Sequence, residues 1–386
     1  MTEFLSYGKQ WIDDDDIRNV RAALSSDFLT QGPQIAEFEQ ALGKYTGARY
    51  CVAVANGTAA LHLAVAALEL APDSEGITST NSFVASSNAM IYNNIKPVFA
   101  DIDQQTYLLD HPDLEKKITP RTKLIMPVHF AGQPAEMKSL KILAEKNKCA
   151  VIEDAAHAIG SRYHDGSLVG NCRYSDLTIF SFHPVKTITT GEGGAITTNN
   201  PGLYEKLLLL RNHGITREPR QLTNHPGPWY YEMHLLGFNY RLTDLQAALG
   251  LSQLKKLDRF VQRRREIVQR YNTAFKSVPW LTIPYEQKGV FSAFHLYVLR
   301  FDFNKINRSR LQVMEILKKK NIGTQVHYIP IHTQPYYQRR YHYHRGGFPN
   351  AENYYQQALS IPLYPKLTDE QVQYVIESIL ELGHAK

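Results

Sequence analysis

The sequence predicts an α/β protein, with a large region built on a mostly parallel sheet and a smaller C-terminal α/β region after it. Three observations predict this. Between about residues 50 and 200, short β-branched runs alternate with helical patterns, which argues for a parallel sheet with helices on both faces. Residues 241–275 show helical periodicity broken near Asp258, as a pair of long helices leaving the first region would. Beyond them, strand and helix patterns recur. A chain of 386 residues, 43% of them hydrophobic, can bury a core in each region. The expected division is residues 1–258, including the N-terminal segment, and residues 259–386.

Each element has its own signal. Asp13 to Asp16 set four carboxylates ahead of residues 17–24, where they favour the positive end of a helix. Strand patterns follow at residues 50–54, 97–100, 124–129, 150–153, 177–182 and 195–198. The most apolar stretch, residues 59–70, carries His62 and Glu69 and is too short to span a bilayer, so it reads as a core helix. A ligand is expected at the carboxyl ends of the strands. In the smaller region, residues 294–301 read as a strand, and residues 308–320 and 368–382 as helices. Residues 216–236 and 334–349, rich in Pro, Gly, His and Tyr, read as long loops.

Composition excludes several functions. The net charge of +6 comes from lysines and arginines scattered among acidic residues, which suits small anionic ligands better than nucleic acid. The N-terminus lacks the basic start and apolar run of a secretory signal, so a cytoplasmic address and no membrane association are expected. Cys51, Cys149 and Cys172 are isolated and read as reduced thiols. Histidine and tyrosine alternate at residues 341–344, but no cysteine or carboxylate completes a ligand set there, so no metal is expected.

Three segments carry chemistry. Residues 181–194 read S-F-H-P-V-K-T-I-T-T-G-E-G-G: a strand ends at Ser181 and Phe182, Lys186 follows in a tight loop, and a glycine-rich turn leads to the next strand. A lysine in such a site loses its proton readily and attacks an aldehyde, whereas a lone loop lysine is simply solvated. Residues 153–160, E-D-A-A-H-A-I-G, set Asp154 at the carboxyl end of a strand. A carboxylate there is what a pyridine nitrogen needs to stay protonated and act as an electron sink, although Asp154 taken alone is more often a helix N-cap. In N-G-T-A-A-L, residues 56–61, a strand meets a helix through a glycine. The backbone amides of Gly57, Thr58 and Ala59 at that helix start form an anion cup suited to a phosphate ester.

These three segments in this order, with F-V-A-S-S-N-A at residues 83–89 and G-F-N-Y-R-L-T-D-L-Q-A-A-L-G at residues 237–250, resemble the DegT/StrS-type sugar aminotransferases. The resemblance covers nearly the whole chain and implies the PLP-dependent transferase fold type I with pyridoxal 5'-phosphate as cofactor. It implies Lys186 as the Schiff-base lysine, Asp154 as the partner of the pyridine nitrogen and Phe83 stacked on the ring. Thr58 and Ser181 would hold the phosphate with the amide of Gly57. His157 stands where many relatives carry glutamine, near the phenolate oxygen, with its protonation state open. Asn239 would reach the phosphate from the neighbouring subunit, so that the site exists only in a homodimer.

Within the family, S-F-H-x-x-K-x-I-T-T, Asn239 to Arg241, and T-Q-V-H-Y-I-P-I-H at residues 324–332 resemble the branch that serves pseudaminic acid biosynthesis. That resemblance implies UDP-2-acetamido-2,6-dideoxy-β-L-arabino-hexos-4-ulose as amino acceptor, with L-glutamate as donor and 2-oxoglutarate as its product. Tyr7 and the loop of Phe28, Leu29, Thr30 and Gln31 would line the sugar-nucleotide pocket. Gly57, Ser181, Asn239, Arg241, Gln325, Val326, His327 and Tyr328 would complete it. Read as residues alone, Arg241 is also a structural ion-pair partner, and His327 and Tyr328 are also strand-packing residues.

Other functions leave different marks. Another UDP- or dTDP-linked keto-sugar is the nearest alternative acceptor. A sugar dehydratase of this fold would carry histidine at the Schiff-base position, and a regulatory protein that kept the fold without the chemistry would lose Lys186 or Asp154. A nicotinamide dehydrogenase would need G-x-G-x-x-G after a first strand, and the G-E-G-G at residues 191–194 opens no helix.

Overall fold

The computed structural model describes residues 3–383. Among them, seven strands form one sheet: β1 (Tyr50–Val54), β2 (Glu75–Ser79), β3 (Lys96–Ala100), β4 (Thr122–Met126), β5 (Ala150–Asp154), β6 (Leu177–Ser181) and β7 (Gly194–Thr198). Their order is β1-β7-β6-β5-β4-β2-β3. All neighbours pair in parallel except β7, which is antiparallel to both β1 and β6. Reversing one strand leaves β1 pointing the same way as β6, so the segments after β1, β2, β5 and β6 all emerge at one edge. The fold is therefore the expected α/β architecture with a mostly parallel sheet.

Six strands match the patterns in the sequence, and β2 was missed. Its sequence, E-G-I-T-S, is buried at every position between β3 and β4. Its polar groups find partners in place: Glu75 pairs with Arg121 at 2.7 Å and Lys96 at 3.2 Å, and Thr78 Oγ1 donates to the Met126 carbonyl at 2.8 Å. Gly76 makes room, since a Cβ there would lie 2.7 Å from Met90 Sδ. A strand satisfied in this way is buried on both faces without an apolar run or an alternation to announce it.

Other elements shift for local reasons. The expected core helix runs Gly57–Ala67 and is almost wholly buried. The long helices are Asp244–Leu254 and Leu257–Phe275, broken just before Asp258. The strand expected from residue 294 starts at Tyr297, because Phe294 has a φ of 47° and the buried Arg264 guanidinium takes the carbonyls of Phe294 and His295. The two expected loops hold structure: a short hairpin pairs Ile215–Thr216 with Glu232–Met233, and a helix spans Pro335–Tyr341. The tyrosines that made the second segment look loop-like are packing residues, with Tyr337 and Tyr343 set 5.4 and 5.0 Å from the Phe99 ring.

A second core lies beyond the sheet. Ile267, Tyr271 and Phe275 pack there with Leu299, Ile361, Val375 and Ile379. Leu5 is buried in the same core, its amide bonded to the Asn321 carbonyl and its own carbonyl to the Gly323 amide. This draws the N-terminal segment along the smaller region and brings Tyr7 toward the sheet edge. Cys51 and Cys172 are buried, Cys149 is partly so, and all three are free thiols. Among the described residues, no helix is long and apolar enough to cross a membrane.

Candidate active site

A cavity of about 1160 Å³ opens where the parallel strands end. Its wall brings together Gly57, Thr58 and Ala59 after β1, Phe83 and Ser86 after β2, Asp154 and His157 after β5, and Ser181 and Lys186 after β6. The smaller region adds His295, Gln325, Val326, His327 and Tyr328, and the N-terminal segment adds Tyr7. Residues far apart in sequence thus meet because their strands end at the same edge.

Asp154 is the last residue of β5 and is 5% exposed. Its Oδ2 accepts from Ser86 Oγ at 2.6 Å, and its Oδ1 accepts from the Ala156 amide at 3.1 Å. No helix follows it, which sets aside the N-cap reading. Ser86 escaped notice in the sequence, since only the packing of its helix against the sheet edge reveals its partner.

Lys186 sits in the turn after β6, its amide bonded to the His183 carbonyl. Among the described residues its Nζ forms no ion pair. Burial brings its pKa down to about 8, against a smaller opposing pull from Asp154. At pH 7 such an amine is neutral in roughly one molecule in ten, against about one in three thousand for an ordinary lysine. The side chain is therefore equipped to act as a nucleophile and as a proton carrier.

The helix Gly57–Ala67 starts directly behind Ser181. A Cβ on Gly57 would lie 2.8 Å from Ser181 Cβ, so only glycine allows the hydroxyl to face the helix start. One expectation needs correction here. The Ala59 amide donates to the N-cap side chain of Asn56 at 2.8 Å and is not free, which leaves the Gly57 and Thr58 amides for the expected anion cup.

His157 is buried, and burial pushes its pKa well below the ordinary value, with Lys186 and His327 acting in the same direction. Its Nδ1 accepts from the Ala131 amide at 3.3 Å, and its Nε2 lies 3.1 Å from Tyr328 Oη. Tyr328 therefore stands beside His157, and its ring lies 6.2 Å from that of Phe83. His295, which the sequence did not single out, packs its ring 4.3 Å from His157. His327 Nδ1 meets Ser360 Oγ at 2.7 Å, and burial, then Lys186, brings its pKa down to about 3.

The remaining expected residues lie elsewhere in the single chain. Gln31 and Arg241 line a separate cavity of about 530 Å³, where Arg241 Nη1 donates to Asn212 Oδ1 at 2.6 Å. Phe28, Leu29, Thr30 and Asn239 are exposed and are not among the residues lining the main cavity.

This donor set fits pyridoxal 5'-phosphate: an amine of lowered pKa, a buried carboxylate steered by two hydrogen bonds, and two helix-start amides facing a serine. The volume leaves room for a second ligand beside it. Residues 10–380 match the profile of the DegT/DnrJ/EryC1/StrS aminotransferase family. The spore coat polysaccharide biosynthesis protein SpsC of Bacillus subtilis is 42% identical over 380 residues, covering 98% of this chain and 97% of that protein. Helicobacter pylori PseC, an aminotransferase involved in the biosynthesis of pseudoaminic acid, superposes with a TM-score of 0.92 at 33% identity, covering 99% of this chain and all of that one. The PLP-form of Spr1654 from Streptococcus pneumoniae superposes with a TM-score of 0.90 at 30% identity, covering 99% of each chain. The chain belongs to the DegT/DnrJ/EryC1/StrS aminotransferase family and is a pyridoxal 5'-phosphate-dependent sugar aminotransferase.

Proposed function

We propose that the protein transfers the amino group of L-glutamate to the 4-keto group of UDP-2-acetamido-2,6-dideoxy-β-L-arabino-hexos-4-ulose, the reaction that serves pseudaminic acid biosynthesis. The observation that carries this reading is the likeness to PseC, which spans 99% of the chain. It is supported by the cavity wall formed by Tyr7 and residues 325–328. A second reading has support of its own. The Bacillus subtilis relative is more similar in sequence, at 42% identity, and belongs to polysaccharide biosynthesis, which favours a different UDP- or dTDP-linked keto-sugar.

In this reading the Gly57 and Thr58 amides hold the cofactor phosphate with the Thr58 and Ser181 hydroxyls, and Asn239 joins them from the partner subunit. Asp154 would keep the pyridine nitrogen protonated, and Phe83 and His157 would hold the ring. When bound, the cofactor supplies an electron sink and carries the amino group between donor and acceptor. Lys186 takes the proton from the α-carbon of glutamate and, in the second half of the cycle, delivers a proton to C4 of the sugar. Tyr7, Gln325, Val326, His327 and Tyr328 line the acceptor end, and Phe28, Leu29, Thr30, Gln31 and Arg241 complete it across a homodimer interface. Residues 1–258 form the cofactor-binding domain and residues 259–386 the smaller domain of a cytoplasmic enzyme.

The test is to supply glutamate with a panel of UDP- and dTDP-linked keto-sugars and to identify the amino sugar formed and its stereochemistry. Preferred amination of the UDP-linked L-arabino-hexos-4-ulose is expected. A clear preference for a dTDP-sugar, or for a different UDP-sugar, selects the second reading.

A further inference from the structure

We infer that Glu153 and His129, neither of which lines the cavity, are positioning residues that hold His157 as its Nε2–H tautomer, with the proton directed toward the cavity. That this proton meets the cofactor rests on the reading above. The tautomer itself follows from hydrogen bonds within the chain.

A backbone amide can only donate. The Ala131 amide reaches His157 Nδ1 at 3.3 Å, so that nitrogen carries the lone pair, and in the neutral ring the proton is on Nε2, 3.1 Å from Tyr328 Oη. Burial disfavours the doubly protonated ring. His157 is then a donor of fixed direction in place of a group that titrates.

The amide that sets this tautomer is held in an unusual place. Ala131 has φ 56° and ψ 8°, in the middle of the tight turn Phe130–Gly132. This left-handed conformation is costly for a residue with a Cβ and persists only where its surroundings enforce it. Gly132, at φ 103°, is pressed onto the neighbouring backbone, where a Cβ would lie 2.8 Å from the Phe294 nitrogen and 2.9 Å from that of His295. The Gly132 carbonyl accepts from Ser161 Oγ at 2.6 Å.

The turn is entered through His129, which is fully buried. Its Nδ1 accepts from the Ala135 amide at 3.0 Å, so its Nε2 carries the proton and donates to Glu153 Oε2 at 2.7 Å. Glu153 also accepts from Tyr163 Oη at 2.5 Å, Ser175 Oγ at 2.5 Å and Thr178 Oγ1 at 3.1 Å. Burial alone would raise its pKa, but these bonds, led by the one from His129, hold it below the usual range. The result is a buried carboxylate that only accepts. Carboxylate, first imidazole, strained turn and second imidazole therefore stand in series, and each fixes the orientation of the next. Glu153 and Asp154 are adjacent on β5, so one strand end serves both the carboxylate in the cavity and the support behind it.

The test uses apoprotein labelled with [15N]histidine, with the His157 signals identified by their loss in His157→Gln. In the wild-type protein Nδ1 is expected to be unprotonated and Nε2 protonated, without titration from about pH 6 to 8.5. A proton on Nδ1, or a titration of His157 in that range, overturns the inference whatever the variants do. In Glu153→Gln the His157 signals should shift toward a mixture of tautomers, and the apoprotein should bind pyridoxal 5'-phosphate on the order of tenfold more weakly. Circular dichroism must show this variant to be folded. Unchanged His157 signals in folded Glu153→Gln overturn the positioning role. No sugar is present in these measurements, so a failure here leaves the substrate reading intact, and a failed substrate panel leaves the tautomer result intact.

Discussion

The end of β5 and the loops at residues 28–31 and 226–241 present opposite kinds of surface. At β5, Asp154 and Glu153 are buried, and every oxygen of the two carboxylates has a donor within the same chain. In the loops, Phe28, Trp229, Met233 and Leu236 are each more than half exposed, and Arg241 leaves its Nε buried without a partner. Polar groups satisfied inside one chain keep their geometry in the isolated protomer, while apolar side chains left in water mark a surface that a partner covers. The end of β5 is therefore expected to tolerate only chemically equivalent substitutions, and, on the reading proposed above, the contribution of the loops to depend on assembly.

The largest expected effect tests the self-contained half. Lys186→Ala should lower turnover of glutamate with a keto-sugar by about 10⁴-fold or more, because on the proposed reading one amine serves as both nucleophile and proton carrier. Its thermal midpoint should stay near that of the wild type, and substantial residual turnover would remove Lys186 from the chemistry. Asp154→Asn should cost on the order of 10²- to 10³-fold in turnover, since on the proposed reading it takes away the carboxylate that pairs with the ring nitrogen. A loss of only a few-fold would mean that another group holds that proton.

The pH dependence of cofactor uptake follows from Lys186. Because burial lowers its pKa to about 8, the reactive neutral amine increases as pH rises through that value. The rate at which apoprotein recombines with pyridoxal 5'-phosphate should thus climb about tenfold from pH 7 to 9, followed by absorbance. A flat profile, or one still rising steeply above pH 10, would show that the amine is not shifted in this way.

Assembly is tested by mixing. Lys186→Ala and Asn239→Ala protomers, each inactive alone, should regain about a quarter of wild-type activity after random exchange, since half the dimers are hybrids with one intact site of two. No recovery despite confirmed exchange, or a nearly active Asn239→Ala enzyme, would make the site independent of the partner. The smallest effect is expected at Tyr328. Its hydroxyl lies against His157, so Tyr328→Phe should slow both half-reactions by about threefold, the worth of one neutral hydrogen bond. Stopped-flow absorbance separates the halves, and a defect confined to the acceptor half would show that the contact with His157 carries no weight in the glutamate half and leave Tyr328 an acceptor-end residue alone.

Local signals carried much of this protein. The alternation over residues 50–200 specified the sheet class and six of its seven strands, because apolar runs of that length must be buried on both faces. The segments around Gly57, Asp154 and Lys186 were legible because each joins a strand end to a residue type whose chemistry is unusual there.

What the tertiary structure alone decided was partnership. The burial of E-G-I-T-S as a central strand depends on Lys96, Arg121 and Met126, all distant in sequence. Ser86 became the steering partner of Asp154 only once a helix after β2 packed against the end of β5. The same holds for His157, whose tautomer is set by an amide 26 residues upstream. Periodicity and motif report which residues one segment offers. A hydrogen bond between segments depends on where the sheet order brings their ends, and no local pattern encodes that distance.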